Sequence, residues 1–170
     1  MFHIARRATL LALVPALLLG PTAVAESLPT WRTGASAHEA TRAHRALVTD
    51  VRWARHAHFD RVVVDIHGRR PAWRVTPTGT LTYDPSGKPV PLSGRYAYYL
   101  TLSPSATYRV DGTNVYGGPQ LARPRFESLR GLALVGSFEG VTSVGFTTRH
   151  PAYRVFTLTD PSRVVIDFRH

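Results

Sequence analysis

From Leu47 to His170 the chain is cut about every eight to twelve residues by glycine, proline or Asp/Asn turn signals. The pieces between the cuts are short runs of β-branched and aromatic side chains. No piece is long enough to carry an amphipathic helix, which rules out the helical crossovers that a parallel α/β sheet requires. The regular runs alternate. In Phe59–His67, Val62, Val64 and Ile66 fall on one face and Arg61, Val63, Asp65 and His67 on the other. In Arg95–Leu102, Tyr96, Tyr98, Leu100 and Leu102 share a face. Leu47–Arg55, Trp73–Val75, Thr80–Tyr83 and Lys88–Leu92 also read as extended. Phe126–Arg130 is read as a strand that runs on toward Leu132–Phe138, and Val141–Thr148, Ala152–Thr159 and Ser162–Arg169 complete a meander. Asp84-Pro85-Ser86-Gly87 predicts a hairpin with a bulge, Asp111-Gly112 a type I′ hairpin, and Thr159-Asp160-Pro161-Ser162 the turn of the last one. The expectation is an all-β fold, a β-sandwich or partly open barrel of about ten short, mostly antiparallel strands.

Residues 1–25 obey different rules. Arg6 and Arg7 precede an apolar run from Ala8 to Leu19, and Ala23-Val24-Ala25 supplies small residues at a cleavage position, so a secretory signal peptide is expected. The apolar run is too short to cross a bilayer, and the chain has no cysteine to carry a lipid. The residues around the Arg pair lack the remainder of a twin-arginine signal. Residues 26–46 read as a flexible linker, with a short helix over Ser36–Arg45 conceivable from the Ser36/Glu39 spacing. The domain is expected over 47–170.

The absence of cysteine also removes disulfides, thiolate metal sites and cysteine nucleophiles. Loss of Arg6 and Arg7 leaves 19 basic against 11 acidic residues, a balance of +8. In an exported protein that balance favours anionic envelope material over nucleic acid. A basic surface that serves only solubility is the competing reading.

An internal echo links two strands. Arg61-Val62-Val63-Val64-Asp65 returns as Arg163-Val164-Val165-Ile166-Asp167. If the two lie antiparallel and adjacent, with Arg61 opposite Asp167, then Val63 meets Val165 and Asp65 meets Arg163. The four charges then act as framework that pins the register.

Three segments together, Arg55–Asp65, Gly136–Val141 and Tyr153–Asp167, resemble the AMIN-like domain of secreted actinobacterial proteins. That family is related to the AMIN module at the N-terminus of cell-wall amidases. The resemblance implies a β-sandwich that binds the cell envelope.

Candidate chemistry is sparse. His56, His58 and Asp60 alternate as metal ligands on a strand would, but they fall at a turn, so no metal or other cofactor is assigned. Glu127 and Glu139 are the carboxylates considered for an acid and a base. No nucleophile elbow, metalloprotease motif or phosphate-cradling loop accompanies them, and the chain reads as a non-enzyme, with an unrecognised hydrolase the remaining alternative. For binding, Arg69, Arg70, Trp73 and Arg74 combine guanidinium forks with an aromatic face, and Arg123, Arg125 and Arg130 border an aperiodic loop. These seven are the candidate ligand-binding residues, with a core role for Trp73 the alternative. The expected partner is a cell-wall glycan or anionic polymer, with docking on an envelope protein the rival.

Overall fold

A computed structural model describes residues 27–40 and 45–170. The expected leader and residues 41–44 lie outside them. The described residues form eleven strands: β1 (Ser36–His38), β2 (Ala46–Arg55), β3 (Phe59–His67), β4 (Ala72–Thr78), β5 (Tyr96–Ser103), β6 (Ser105–Ala106), β7 (Leu121–Ala122), β8 (Leu129–Phe138), β9 (Val141–Thr148), β10 (Tyr153–Leu158) and β11 (Arg163–Arg169). They form two sheets, ordered β1-β4-β5-β9-β8-β7 and β10-β11-β3-β2-β6, and every pairing except β2 with β6 is antiparallel. Neither sheet closes on itself, so the architecture is a β-sandwich and not a barrel.

The alternation seen in the sequence builds the core. Val62, Val64 and Ile66 of β3 face Tyr98, Leu100 and Leu102 of β5, and Val164, Ile166 and Phe168 of β11 join them. Strand β8 is buried on both sides. Leu132 and Leu134 enter the main core, while Ala133 and Val135 form a second cluster with Leu81 and Val90 from the hairpin laid over the outer face of the six-stranded sheet. That double cover is why Leu132–Val135 reads as an uninterrupted apolar run.

Four local expectations change. Phe126–Ser128 are not strand; β8 starts at Leu129, because Asp60 takes the N–H groups of Ser128 and Leu129 and turns the chain there. The Asp111-Gly112 turn is not type I′, which would need a positive φ at both residues. Gly112 has φ 84, but Asp111 is not left-handed; instead it accepts the Thr113 N–H, and the Gly112 N–H closes a turn onto the Arg109 carbonyl. Within the loop that begins at Gly117, Leu121–Ala122 pair with β8.

The fourth change concerns residues 27–40, expected to be part of a flexible linker. They form a strap over the open side of the sandwich. Arg32 exchanges two backbone hydrogen bonds with Tyr153 on β10, the edge of one sheet, and Ser36–His38 pair with β4, the last long strand of the other. Ser36 therefore opens a strand, not a helix. The physical reason is the supply of unpaired N–H and C=O groups on two sheet edges, which satisfy an extended segment that has no apolar stripe. Tyr153 locks the crossing: its ring is fully buried, and its Oη donates to the Gly34 carbonyl and sits 3.0 Å from Ser36 Oγ.

Candidate functional site

The echo strands β3 and β11 are adjacent and antiparallel, with Arg61 opposite Asp167, Val63 opposite Val165 and Asp65 opposite Arg163, as expected. Only one end closes with an ion pair. Asp167 is fully buried and accepts from Arg61 Nε at 2.6 Å, Arg61 Nη2 at 2.9 Å and Arg154 Nε at 2.8 Å. At the other end Arg163 folds back so that its Nε donates to the carbonyl of Pro161. Asp65 is taken by Arg52 of β2, whose Nη2 is 2.9 Å away and whose guanidinium pKa is raised chiefly by that hydrogen bond. The expected Asp65–Arg163 closure is thus replaced, because the long Arg52 side chain reaches Asp65 diagonally from its place opposite Val63.

Around Asp167 the outer face of the five-stranded sheet carries alternating rings and guanidinium groups. The Arg61 guanidinium carbon lies 5.0 Å from the centre of Phe59 and 5.2 Å from that of Phe156. That of Arg154 lies 4.4 Å from Trp31 of the strap and 5.1 Å from Phe59. Arg169 adds a third cation over Trp31. One buried carboxylate therefore serves a face with three arginines, and Arg154 commits only its Nε to it. The face keeps net positive charge next to aromatic surface. The sequence pattern points to Arg61 and Asp167 as framework, and gives no sign of Arg154, Phe59, Phe156 and Trp31 beside them.

Phe156 also faces a groove. Between β10 and the β1–β4 edge, a hollow of about 320 Å³ is lined by Leu28, Pro29, His38, Trp73, Val155 and Phe156 among others. Trp73 belongs to both readings made of it. Its indole packs against the main core, stacks on His38 at 6.1 Å and 22°, and forms a wall of the groove, with Nε1 buried and unpartnered. Arg70 Nη1 donates to Thr157 Oγ1 at 2.7 Å on the groove's β10 side.

The run Arg69–Arg74 does not act as one surface. Successive strand residues point to opposite faces, so Trp73 packs inward while Arg74 is exposed and lines a second hollow with Glu39, Thr101 and Ser103, which Trp73 also borders. Arg69 is exposed in the turn before β4. Arg123, Arg125 and Arg130 are not brought to this place at all. They precede or begin β8, toward the opposite edge of the six-stranded sheet. There Arg123 holds the Pro91 carbonyl at 2.6 Å and Arg130 that of Phe126 at 2.9 Å, while Arg125 takes a left-handed φ of 55.

The remaining candidates are dispersed. Asp60 is fully buried and faces inward, where the N–H groups of Ser128 and Leu129 donate at 2.8 Å and His170 Nε2 lies at 3.0 Å. It ties the start of β3, the start of β8 and the last residue together. His56 instead stacks on Phe59 at 4.6 Å, and both it and His58 are exposed. Glu127 lies beside Arg55 and His170, and Glu139 sits in the β8–β9 turn. The ten residues of β8 separate the two carboxylates by roughly 30 Å, several times the spacing a glycosidase pair uses.

Residues 46–170 match the family model of the AMIN-like domain. No curated protein and no solved structure matches the chain. The family match begins at β2, so the strap lies outside it.

Proposed function

The chain belongs to the AMIN-like domain family, and from that premise we propose that it is a secreted, non-enzymatic module that holds an anionic cell-wall polymer. Family membership points to the cell envelope. One arrangement carries the finer reading: the groove walled by Trp73 and Phe156 runs over the β10 edge into the arginine and aromatic stack of Arg61, Phe59, Arg154 and Trp31. Such a surface suits a polymer with alternating ring faces and carboxylates or phosphates. The rings offer stacking, and guanidinium forks pair with the anions. Arg70 and Arg169, at the two ends of this path, supply the accessible charge. The balance of +8 left once the expected leader is removed acts in the same direction.

Co-sedimentation with isolated cell walls at low and high salt tests the proposal. Binding should fall steeply as salt rises, and the pair Arg70→Ala and Arg169→Ala should weaken it severalfold. Binding that ignores salt and both substitutions overturns the polymer reading and moves the assignment to a partner protein docking by strand addition along β10.

A further inference from the structure

A cleft of about 490 Å³ lies against the Leu134–Ser137 part of β8. Three tyrosines from distant parts of the chain line it. Tyr83 comes from the hairpin that bridges Thr82 to Pro89, Tyr108 from the one that bridges Tyr108 to Asn114, and Tyr116 from the segment that follows. Two of the rings are fixed from behind. Tyr116 is buried, with its Oη donating to the Pro119 carbonyl at 2.9 Å, and burial pushes its pKa up to about 12. Tyr108 has the Arg45 guanidinium stacked 4.9 Å from its centre. Arg45 lines a neighbouring hollow, and Tyr108 borders both that hollow and this cleft.

The polar groups here have few partners. Among the described residues the carboxylate of Asp84, the side-chain amide of Gln120 and the hydroxyls of Tyr83 and Tyr108 make no hydrogen bond, and Asn114 uses only its Oδ1, which accepts the Tyr116 N–H. Gly136 brings Asp84 close. A Cβ at Gly136 would stand 2.7 Å from that of Asp84, and β8 changes register between Leu134 and Gly136. Bulges of this kind occur beside binding sites, where they re-aim the neighbouring chain.

We propose that this cleft is a binding site for an uncharged pyranose oligosaccharide. Aromatic rings stack on the C–H face of a sugar ring, while planar acceptors and amides take its hydroxyls. Asp84 decides the charge of the ligand. Among the described residues no arginine or lysine lines the cleft, so a carboxylate that only accepts hydrogen bonds welcomes hydroxyl donors and repels an anionic chain. The site thus differs from the groove at Trp73 both in place and in ligand, and it stands independently of the polymer reading.

Two probes test it: chitotetraose, which is uncharged, and poly(glycerol phosphate), which is anionic. Amide chemical shifts of the purified chain are followed during titration at two salt concentrations. Chitotetraose should perturb Tyr83, Asp84, Asn114 and Gly136 with an affinity that salt leaves unchanged. Asp84→Asn should weaken it about tenfold, and Tyr108→Ala should weaken it at least as much, while Arg70→Ala should leave it unaltered. A thermal melt of each variant establishes that it is folded, and the exposed Asp84→Asn decides the matter if Tyr108→Ala unfolds. The proposal fails if millimolar chitotetraose perturbs nothing, if the perturbation centres on His38 and Trp73, if Asp84→Asn binds as well as the parent, or if the anionic polymer fills the cleft instead. Loss of wall binding at high salt alongside intact chitotetraose binding would leave the two sites separately assigned.

Discussion

The two ends of the Arg-Val-Val-x-Asp echo are alike in sequence and unlike in structure, so matched substitutions provide an internal control. Asp167→Asn replaces a fully buried carboxylate that accepts three hydrogen bonds from Arg61 and Arg154. The amide oxygen can take the Oδ2 place and keep the bonds from Arg61 Nη2 and Arg154 Nε, but its NH₂ then faces Arg61 Nε, so one charge-assisted bond is lost, at about 1.5–3 kcal/mol, and the other two weaken to bonds with a neutral oxygen, at about 1 kcal/mol each. The two arginine side chains keep 26% and 11% of their exposure and recover some of this through water. The expected cost is about 3 kcal/mol, close to the lower bound for breaking a buried pair. At about 2–4 °C per kcal/mol for a domain of this size, the melting temperature should fall by about 10 °C. Asp65→Asn removes a pair whose arginine is 54% exposed, for which about 0–1 kcal/mol is expected, fading at about 0.5 M salt. Both are measured by thermal and urea denaturation followed by circular dichroism. Equal losses for the two variants, or a larger loss at Asp65, would refute the reasoning that burial and not sequence symmetry sets the energy.

Two further outcomes follow from the tyrosines. Tyr153→Phe keeps the buried ring but removes the Oη bond to Gly34 and the contact with Ser36, so it should cost about 1 kcal/mol. Amide exchange should speed up across residues 34–38 while β11 and β3 stay protected; unchanged exchange in the strap would show that the hydroxyl does not hold it. Tyr98 and Tyr116 both have pKa values pushed up to about 12, in each case mainly by burial. A raised folded-state value means that their contribution to stability is complete below the unfolded pKa of about 10 and is lost as pH climbs through about 12. The melting temperature should be flat up to about pH 10 and then decline, less steeply in the Tyr98→Phe and Tyr116→Phe double variant. An identical decline in that variant would sink the assignment.

The β architecture was legible because burial imposes a period. Where one face meets the core and the other meets solvent, as in Phe59–His67, alternation located the strand to the residue, and charge complementarity then fixed its register against β11. The strap escaped because its order comes from backbone groups pairing with two sheet edges, which leaves no mark in the side-chain pattern. Asp60 escaped as a clamp for a related reason: its partners are the N–H groups of Ser128 and Leu129, and every residue except proline carries one. The groove was half legible. Trp73 walls it and Arg70 bonds to Thr157 on its β10 side, but strand alternation leaves Arg74 exposed at a second hollow, and the run of basic residues in the sequence hid that geometry. The tyrosine cleft was invisible, since Tyr83, Tyr108 and Tyr116 converge only after two separate hairpins fold onto β8.

The strap has a consequence for competition. A strand arriving from another molecule at β4 or β10 finds its place held by a segment of the same chain, through Ser36–His38 on one edge and Arg32 on the other. A tethered occupant acts at an effective concentration of about millimolar, so a free peptide of equal intrinsic affinity wins only above that level. Proteolysis between residues 40 and 45 would break the tether to β2 and turn this intramolecular rival into an ordinary dissociable ligand, opening both edges together.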